Sequence, residues 1–271
     1  MTSERRKKIT RRSLIAGGIA GAGAIGGWLE HDALKVEHQN VYPIGYAGPT
    51  KKIAFLTDPH ISSSRDRDRA LRAVELAAAE KPDLLLLGGD YVTRRGGFRE
   101  HDLHDFFQAC ALVAPAAGIL GNHDYDHKDW PARLKWHFAN AGIPLLINRE
   151  VELAGLRIYG SDDALLGNPK APEGDPPHVM LLHEPDFVSF APQAKTLVLS
   201  GHTHGGQICL PLGIPLMLPP GGRSAPASGF TWLNGRCLYV SRGIGTTSLP
   251  FRTFCRPEVT ILHLKTVPLT S

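Results

Sequence analysis

Five short aliphatic runs punctuate the chain, and each stops just before a polar residue able to hold a metal ion. They are KKIAFLT before Asp58, DLLLLGG before Asp90, AGIL before Gly121 and Asn122, HVMLL before His183, and TLVLSG before His202. Runs of this kind read as strands buried on both faces, and residues just past such strand ends line sites. Helical patterns lie between them, from Arg67 to Glu80 and from Asp129 to Ala141. In a third stretch His101, Asp102, His104 and Asp105 stand opposite Phe98, Leu103, Phe106, Phe107 and Cys110, the pattern of an amphipathic helix with a solvated face. Strand signals thicken after residue 150, in Leu156 to Tyr159, Cys237 to Val240 and Val259 to Leu264. The alternation predicts an α/β fold, a four-layer α/β/β/α sandwich of two mixed β-sheets flanked by helices. The first sheet would carry the first three runs and the second sheet the last two. Residues 51–266 suit one domain, preceded at 31–50 by an irregular linker with one strand around Leu34 to Val36.

The polar residues at the strand ends form a chemically coherent set: Asp58, His60, Asp90, Asn122, His183, His202 and His204. A carboxylate can bridge two cations, imidazole supplies a neutral nitrogen, and an amide oxygen adds an uncharged ligand, so the set suits two divalent ions. Two ions about 3.5 to 4 Å apart can clamp a phosphate and stabilise both the attacking and the leaving oxygens of an in-line displacement. Phosphoester hydrolysis is the reaction this chemistry predicts. Side chains two apart on extended backbone share a face, which suits the pairs Asp58/His60 and His202/His204, and Pro59 biases Asp58 away from helix. Taken singly, an Asp after a strand more often caps a helix, and a lone His183 more often is a satisfied buried imidazole. His127, four residues past His123, could approach substrate, whereas His31, His38, His137, His178 and His263 have no motif around them, and all six are left out of the site.

Asp58-Pro59-His60, Gly88-Gly89-Asp90, Gly121-Asn122-His123-Asp124, His183 and Gly201-His202-Thr203-His204 resemble, in order, the five signature blocks of the calcineurin-like metallophosphoesterases. The match runs from about residue 51 to about residue 265. The longer stretches from Gly201 to Gln207 and from Val240 to Gly245 resemble the bacterial envelope phosphohydrolase branch of that family. The resemblance implies that Asp58, His60, Asp90 and His204 hold one metal, and that Asp90, Asn122, His183 and His202 hold the other, with Asp90 bridging. The metal would be Mn, Fe, Zn or Mg. His123 is then the catalytic residue, facing substrate rather than metal. Some family members orient this histidine with an acidic residue three positions after the second-block Asp. Thr93 stands there in this chain, which leaves Asp124 or a backbone carbonyl as the candidate partner.

Charge changes the picture only at the amino terminus. The formal net charge is +4, but residues 1–13 carry six Lys or Arg against one Glu, a balance of +5 that leaves about −1 for the rest. No basic stripe interleaved with aromatics remains, so no nucleic-acid partner is expected. Thr10-Arg11-Arg12-Ser13-Leu14-Ile15 leads into a Gly- and Ala-rich run, and residues 1–30 resemble a twin-arginine signal or membrane tether. Partners implied are the twin-arginine export machinery and a phosphoester substrate, with a lipid-linked one and membrane association as further expectations. Localisation would be periplasmic or in the cell envelope.

The four cysteines, Cys110, Cys209, Cys237 and Cys255, show no CxxC spacing and read as buried thiols, with one bridge among the last three as the alternative. Substrate preference should reside in loops at Tyr91 to Glu100, Leu165 to Pro177 and Leu210 to Thr231. The last carries Leu212, Ile214, Leu216, Met217 and Leu218, expected to pack on the core rather than to meet lipid. Arg242, just past a strand, reads as structural. A non-catalytic metal-containing envelope binding protein is the competing function, and its signature, a missing ligand, is absent from the chain. A zinc peptidase or amidase would need HExxH, which the chain lacks.

Overall fold

The computed structural model describes residues 33–43, 46–93, 97–193 and 196–266. The twin-arginine segment lies outside them. The order is β1 (Lys35–Val41), β2 (Lys51–Leu56), α1 (Ser64–Ala79), β3 (Leu84–Leu87), α2 (Glu100–Ala111), β4 (Ala116–Gly118), α3 (Trp130–Asn140), β5 (Arg149–Leu153), β6 (Leu156–Gly160), β7 (Val179–Leu181), β8 (Leu197–Ser200), β9 (Cys209–Leu210), β10 (Ile214–Pro215), β11 (Gly229–Leu233), β12 (Arg236–Val240) and β13 (Glu258–Leu264). One sheet has the order β1-β13-β2-β3-β4 and the other β11-β12-β8-β7-β6-β5. Both are mixed, with β2, β3 and β4 mutually parallel in the first and β6, β7, β8 and β12 in the second.

The two-residue period of a strand divides the aliphatic runs between layers. Ala54, Leu56, Leu85 and Leu87 join the core beneath the helices. Ile53, Phe55, Leu84 and Leu86 join the core between the sheets, where they meet Val179, Leu181, Leu197, Leu199, Cys237 and Tyr239 of the second sheet. Met180, Val198, Leu238 and Val240 face outward and pack with Val188, Ala191 and Ala225. The outer layer on that side is thin, formed around the 3-10 segment Pro185–Phe190. All four leucines of β3 are buried, as a strand covered on both faces requires.

Three expectations shift. The first helix begins at Ser64, because the Ser63 side chain accepts the Asp66 N–H and caps a polar first turn that carries no apolar period. The strand expected around Leu34 to Val36 is the seven-residue β1, paired in parallel with β13 from Lys35 to Val41. The apolar loop does not pack on the core: Leu212 is 97 % exposed and Met217 78 %, with Ile214 and Leu216 more than half exposed. The reason is that β9 and β10 pair with each other as a separate two-stranded sheet, turning at Leu212 (φ 71°) and Gly213 (φ 73°).

Other readings hold with one exception. On the face of α2 expected to be solvated, His101 is exposed and His104 and Asp105 are half-buried, but Asp102 is buried because it pairs with Arg67 and Arg99; Arg242 pairs with Glu37 and Glu258. All four cysteines are buried thiols, and burial pushes the Cys237 thiol up to about 12. Ellman's reagent should therefore leave the native protein nearly unlabelled and titrate four thiols once guanidinium unfolds it. Fewer than four without reductant would reveal a disulfide.

Candidate metal centre

The carboxyl ends of β2, β3 and β4 in one sheet and of β7 and β8 in the other meet at one edge of the sandwich, and each delivers one block of candidate ligands. Asp58 (φ 54°), His60 (φ 46°), Asp90 (φ 56°), His202 (φ 67°) and His204 (φ 51°) all adopt left-handed backbone. Such conformations are costly for residues with a Cβ and persist where the surroundings over-determine them. Two glycines permit the close approach. A Cβ at Gly121 would lie 2.4 Å from Asp90 Oδ1, and one at Gly201 would lie 2.3 Å from Asp58 Oδ2.

All seven residues chosen from the sequence come together. Ligand atoms of Asp58, His60 and His204 lie within 4.8 Å of one another, as do those of Asp90, His183 and His202. Asp90 Oδ2 stands 3.2 Å from His183 Nε2 and 3.5 Å from His60 Nε2, so this carboxylate spans the two triads. Asn122 Oδ1 lies 2.9 Å from His202 Nδ1. His60 Nε2 and His204 Nε2 approach to 3.0 Å. These residues are buried apart from Asn122, which is partly open.

The electrostatics fit a cation. His183 Nδ1–H donates to the Gly88 carbonyl at 2.8 Å, which leaves Nε2 facing two carboxylates with no hydrogen-bond partner among the described residues. His202 Nε2–H likewise donates to the Pro220 carbonyl at 2.7 Å and frees Nδ1. Such contacts fix the tautomer of a metal-binding imidazole. Burial pushes His60 down to about 3 and His202 down to about 4, and burial together with the neighbouring His60 and Arg252 lowers His204, so these rings are neutral and have lone pairs to give. Burial also pushes Asp58 up to about 6. For His183 burial works the other way from Asp90 and Asp58, whose carboxylates win and raise it well above its usual range. A proton on His183 thus serves as the counter-charge that a metal would replace.

His123 sits at the rim in the 3-10 turn Asn122–Tyr125, with its side chain 27 % exposed. Its backbone N–H donates to Asp90 Oδ1 at 2.8 Å. Its orienting partner is Asp126, whose Oδ2 lies 2.7 Å from His123 Nδ1. The candidate Asp124 is engaged elsewhere, since its carboxylate accepts backbone N–H bonds from Asp90, Tyr91, Val92 and Gly121, tying the second block to the third. The signal for Asp126 was the spacing His123-x-x-Asp126, since residues three apart share a face in one tight helical turn. Arg252 was also missed. Fully buried, its guanidinium donates to the carbonyl oxygens of His204, Arg242 and Gly245, and burial brings it down to about 10. No sequence pattern announces an arginine bound to backbone carbonyls.

A family profile described as calcineurin-like phosphoesterase matches residues 51–206. The chain belongs to the calcineurin-like phosphoesterase family. This phosphoesterase is 33 % identical to phosphodiesterase YaeI of Escherichia coli strain K12, over 88 % of its own length and 89 % of that protein. It is 30 % identical to YkuE of Bacillus subtilis strain 168, an uncharacterized metallophosphoesterase, over 96 % of its own length and 99 % of that protein. A solved structure, TT1561 of Thermus thermophilus, is similar at 14 % identity with a TM-score of 0.44, covering 72 % of this chain and 91 % of that one. This chain is therefore a metal-dependent phosphohydrolase, with two donor triads suited to a dinuclear divalent centre.

Three outcomes follow from the geometry of this phosphoesterase. His123→Ala should keep its metal content while kcat falls by about 10² or more, and Asp126→Asn should lower kcat by roughly tenfold with KM little changed. Metal analysis alongside steady-state kinetics separates these effects from ligand loss. Metal uptake must displace a proton from the raised His183 and, below about 6, a second from Asp58, so affinity should weaken by roughly tenfold per unit as pH falls and more steeply below about 6. Equilibrium manganese titrations from pH 5 to 8 check this, and a flat profile contradicts it.

Proposed function

We propose that this phosphoesterase hydrolyses a phosphodiester or pyrophosphate bond of a cell-envelope lipid or nucleotide-linked substrate, after export by the twin-arginine route. The observation that carries the reaction is the contrast between a buried cradle of imidazoles and carboxylates and the single imidazole, His123, left partly open beside it. Asp58, His60, Asp90 and His204 would hold one divalent cation, and Asp90, Asn122, His183 and His202 the other. When bound, the ions supply positive charge for the phosphoryl oxygens and an activated water.

The chain's own residues do the rest. Asp126 accepts from His123 Nδ1–H and so fixes ring orientation and tautomer, leaving Nε2 as the atom available to substrate. From the rim, and with the ring protonated at both nitrogens and its charge balanced by Asp126, Nε2–H can stabilise charge on the phosphoryl group or pass its proton to the leaving oxygen. Diester preference is supported by the name of the Escherichia coli relative, and export by the Arg11-Arg12 motif with the apolar run behind it. Purified protein given manganese should hydrolyse bis(p-nitrophenyl) phosphate, stop on chelation and recover on re-addition of metal. Metal-loaded protein inert toward monoesters, diesters and pyrophosphates would overturn the proposal.

A further inference from the structure

From Cys209 to Pro220 the sequence CLPLGIPLMLPP holds no charged residue, yet most of it faces solvent. Leu212, Ile214, Leu216 and Met217 project from the β9/β10 hairpin and the segment after it, and Phe254 is exposed beside them, its carbonyl 3.7 Å from where a Gly213 Cβ would lie. Monomeric soluble proteins seldom gather so many large apolar side chains on one protrusion. The protrusion is rooted in the site. Leu216 N–H donates to the Ile208 carbonyl, Pro215 packs against Gly206 just after His204, and the Pro220 carbonyl accepts from His202 Nε2.

Within its own stretch of chain the charge is one-sided, and from outside that stretch Asp186 accepts the backbone N–H groups of Arg223, Ser224 and Ala225. Residues 201–257 contain Arg223, Arg236, Arg242, Arg252 and Arg256 and no Asp or Glu. Arg252 is buried, Arg242 is paired with Glu37 and Glu258, and Arg236 binds backbone carbonyls. Arg223 and Arg256 are exposed at the borders of the apolar patch. Among the described residues their side chains hydrogen-bond to the carbonyls of Leu218, Ala33 and Leu34, with no carboxylate ion pair. Beside the hairpin a groove of about 470 Å³ is lined in part by Lys35, Leu212, Phe254 and Arg256. An apolar tip between arginines with no acid on it is complementary to a surface with an apolar interior and anionic headgroups.

We propose that the hairpin and its extension to Leu218 insert into the interface of an anionic phospholipid bilayer and hold the candidate metal centre against it. Docking is independent of the leader. It also deepens the proposed function, and rests on that reading only where it sets a lipid-linked phosphoester at headgroup depth, within reach of His123. No described helix is long and apolar enough to cross a membrane, so this attachment is peripheral.

A probe at the tip tests the contact whatever the amino terminus does. Full-length Leu212→Cys protein, its native thiols buried, is labelled with a polarity-sensitive fluorophore and mixed with vesicles of phosphatidylcholine alone or with added phosphatidylglycerol. The emission should shift to the blue with phosphatidylglycerol vesicles and be quenched by acyl-chain nitroxides. A probe at exposed Leu112, placed by Leu112→Cys at the end of α2, should not respond. Leu212→Ser/Met217→Ser protein should sediment with these vesicles roughly tenfold more weakly than the wild type. An unshifted probe at 212 on protein that still sediments would overturn the proposal, as would a shift that needs no vesicles and tracks dimer formation. Met217→Cys supplies a second probe position. Turnover of soluble phosphoesters is read separately: inertness of metal-loaded protein toward monoesters, diesters and pyrophosphates sinks the proposed function and leaves the probe result standing.

Discussion

Two carboxylates withdrawn from water among four imidazoles are the constraint to which the rest of the fold answers. Asp58 and Asp90 are fully buried, and an ionised carboxylate in such a place is costly unless it is paired and hydrogen-bonded. The chain compensates locally. The Thr57 hydroxyl and the His202 backbone N–H donate to Asp58, the His123 backbone N–H donates to Asp90, and His183 lies between the two. These donors come from segments distant in sequence and both sheets, so the cluster exists only when the sheets are packed. The apolar layer between them, from Ile53 and Phe55 on one side to Leu197 and Leu199 on the other, is what brings the strand ends into register. Apolar packing supplies the driving force, and the buried charges specify the arrangement.

The same division explains what could be read from the sequence. The aliphatic runs are legible because a doubly covered strand leaves no room for polar residues, and the ligands are legible because they follow the strand ends closely, as Asp58 follows Leu56 and His183 follows Leu181. The first turn of α1 is not, since Ser64, Arg65 and Asp66 carry no apolar period and only the Ser63 cap marks the start. β1 is hidden for a related reason: Glu37, His38, Gln39 and Asn40 look like linker, and it is pairing with β13 that makes them a strand. Asp126 was overlooked because a partner three residues on matters only if a helical turn intervenes, and Gly121-Asn122-His123-Asp124 does not declare one. The hairpin was misjudged because apolar composition alone does not say which way a side chain faces.

Backbone strain and side-chain chemistry coincide at the strand ends. Five candidate ligands sit in left-handed conformations, and two of them are anchored from outside the set, Asp90 by Asp124 and His204 by Arg252. One anchor is a buried carboxylate collecting backbone N–H groups, the other a buried guanidinium collecting carbonyl oxygens. Neither is a candidate ligand. Each closes hydrogen bonds that irregular backbone cannot make with itself, which is how loops this deep remain tolerable inside a protein.

The position of β13 governs the order of assembly. It lies between β1 and β2, strands formed more than two hundred residues earlier, and the Arg252 that supports the last block precedes it by only a few positions. On a ribosome, β2 would emerge with one flank open and wait for more than two hundred further residues before gaining that neighbour. A nascent chain therefore cannot complete the first sheet until residues 258–264 have been made.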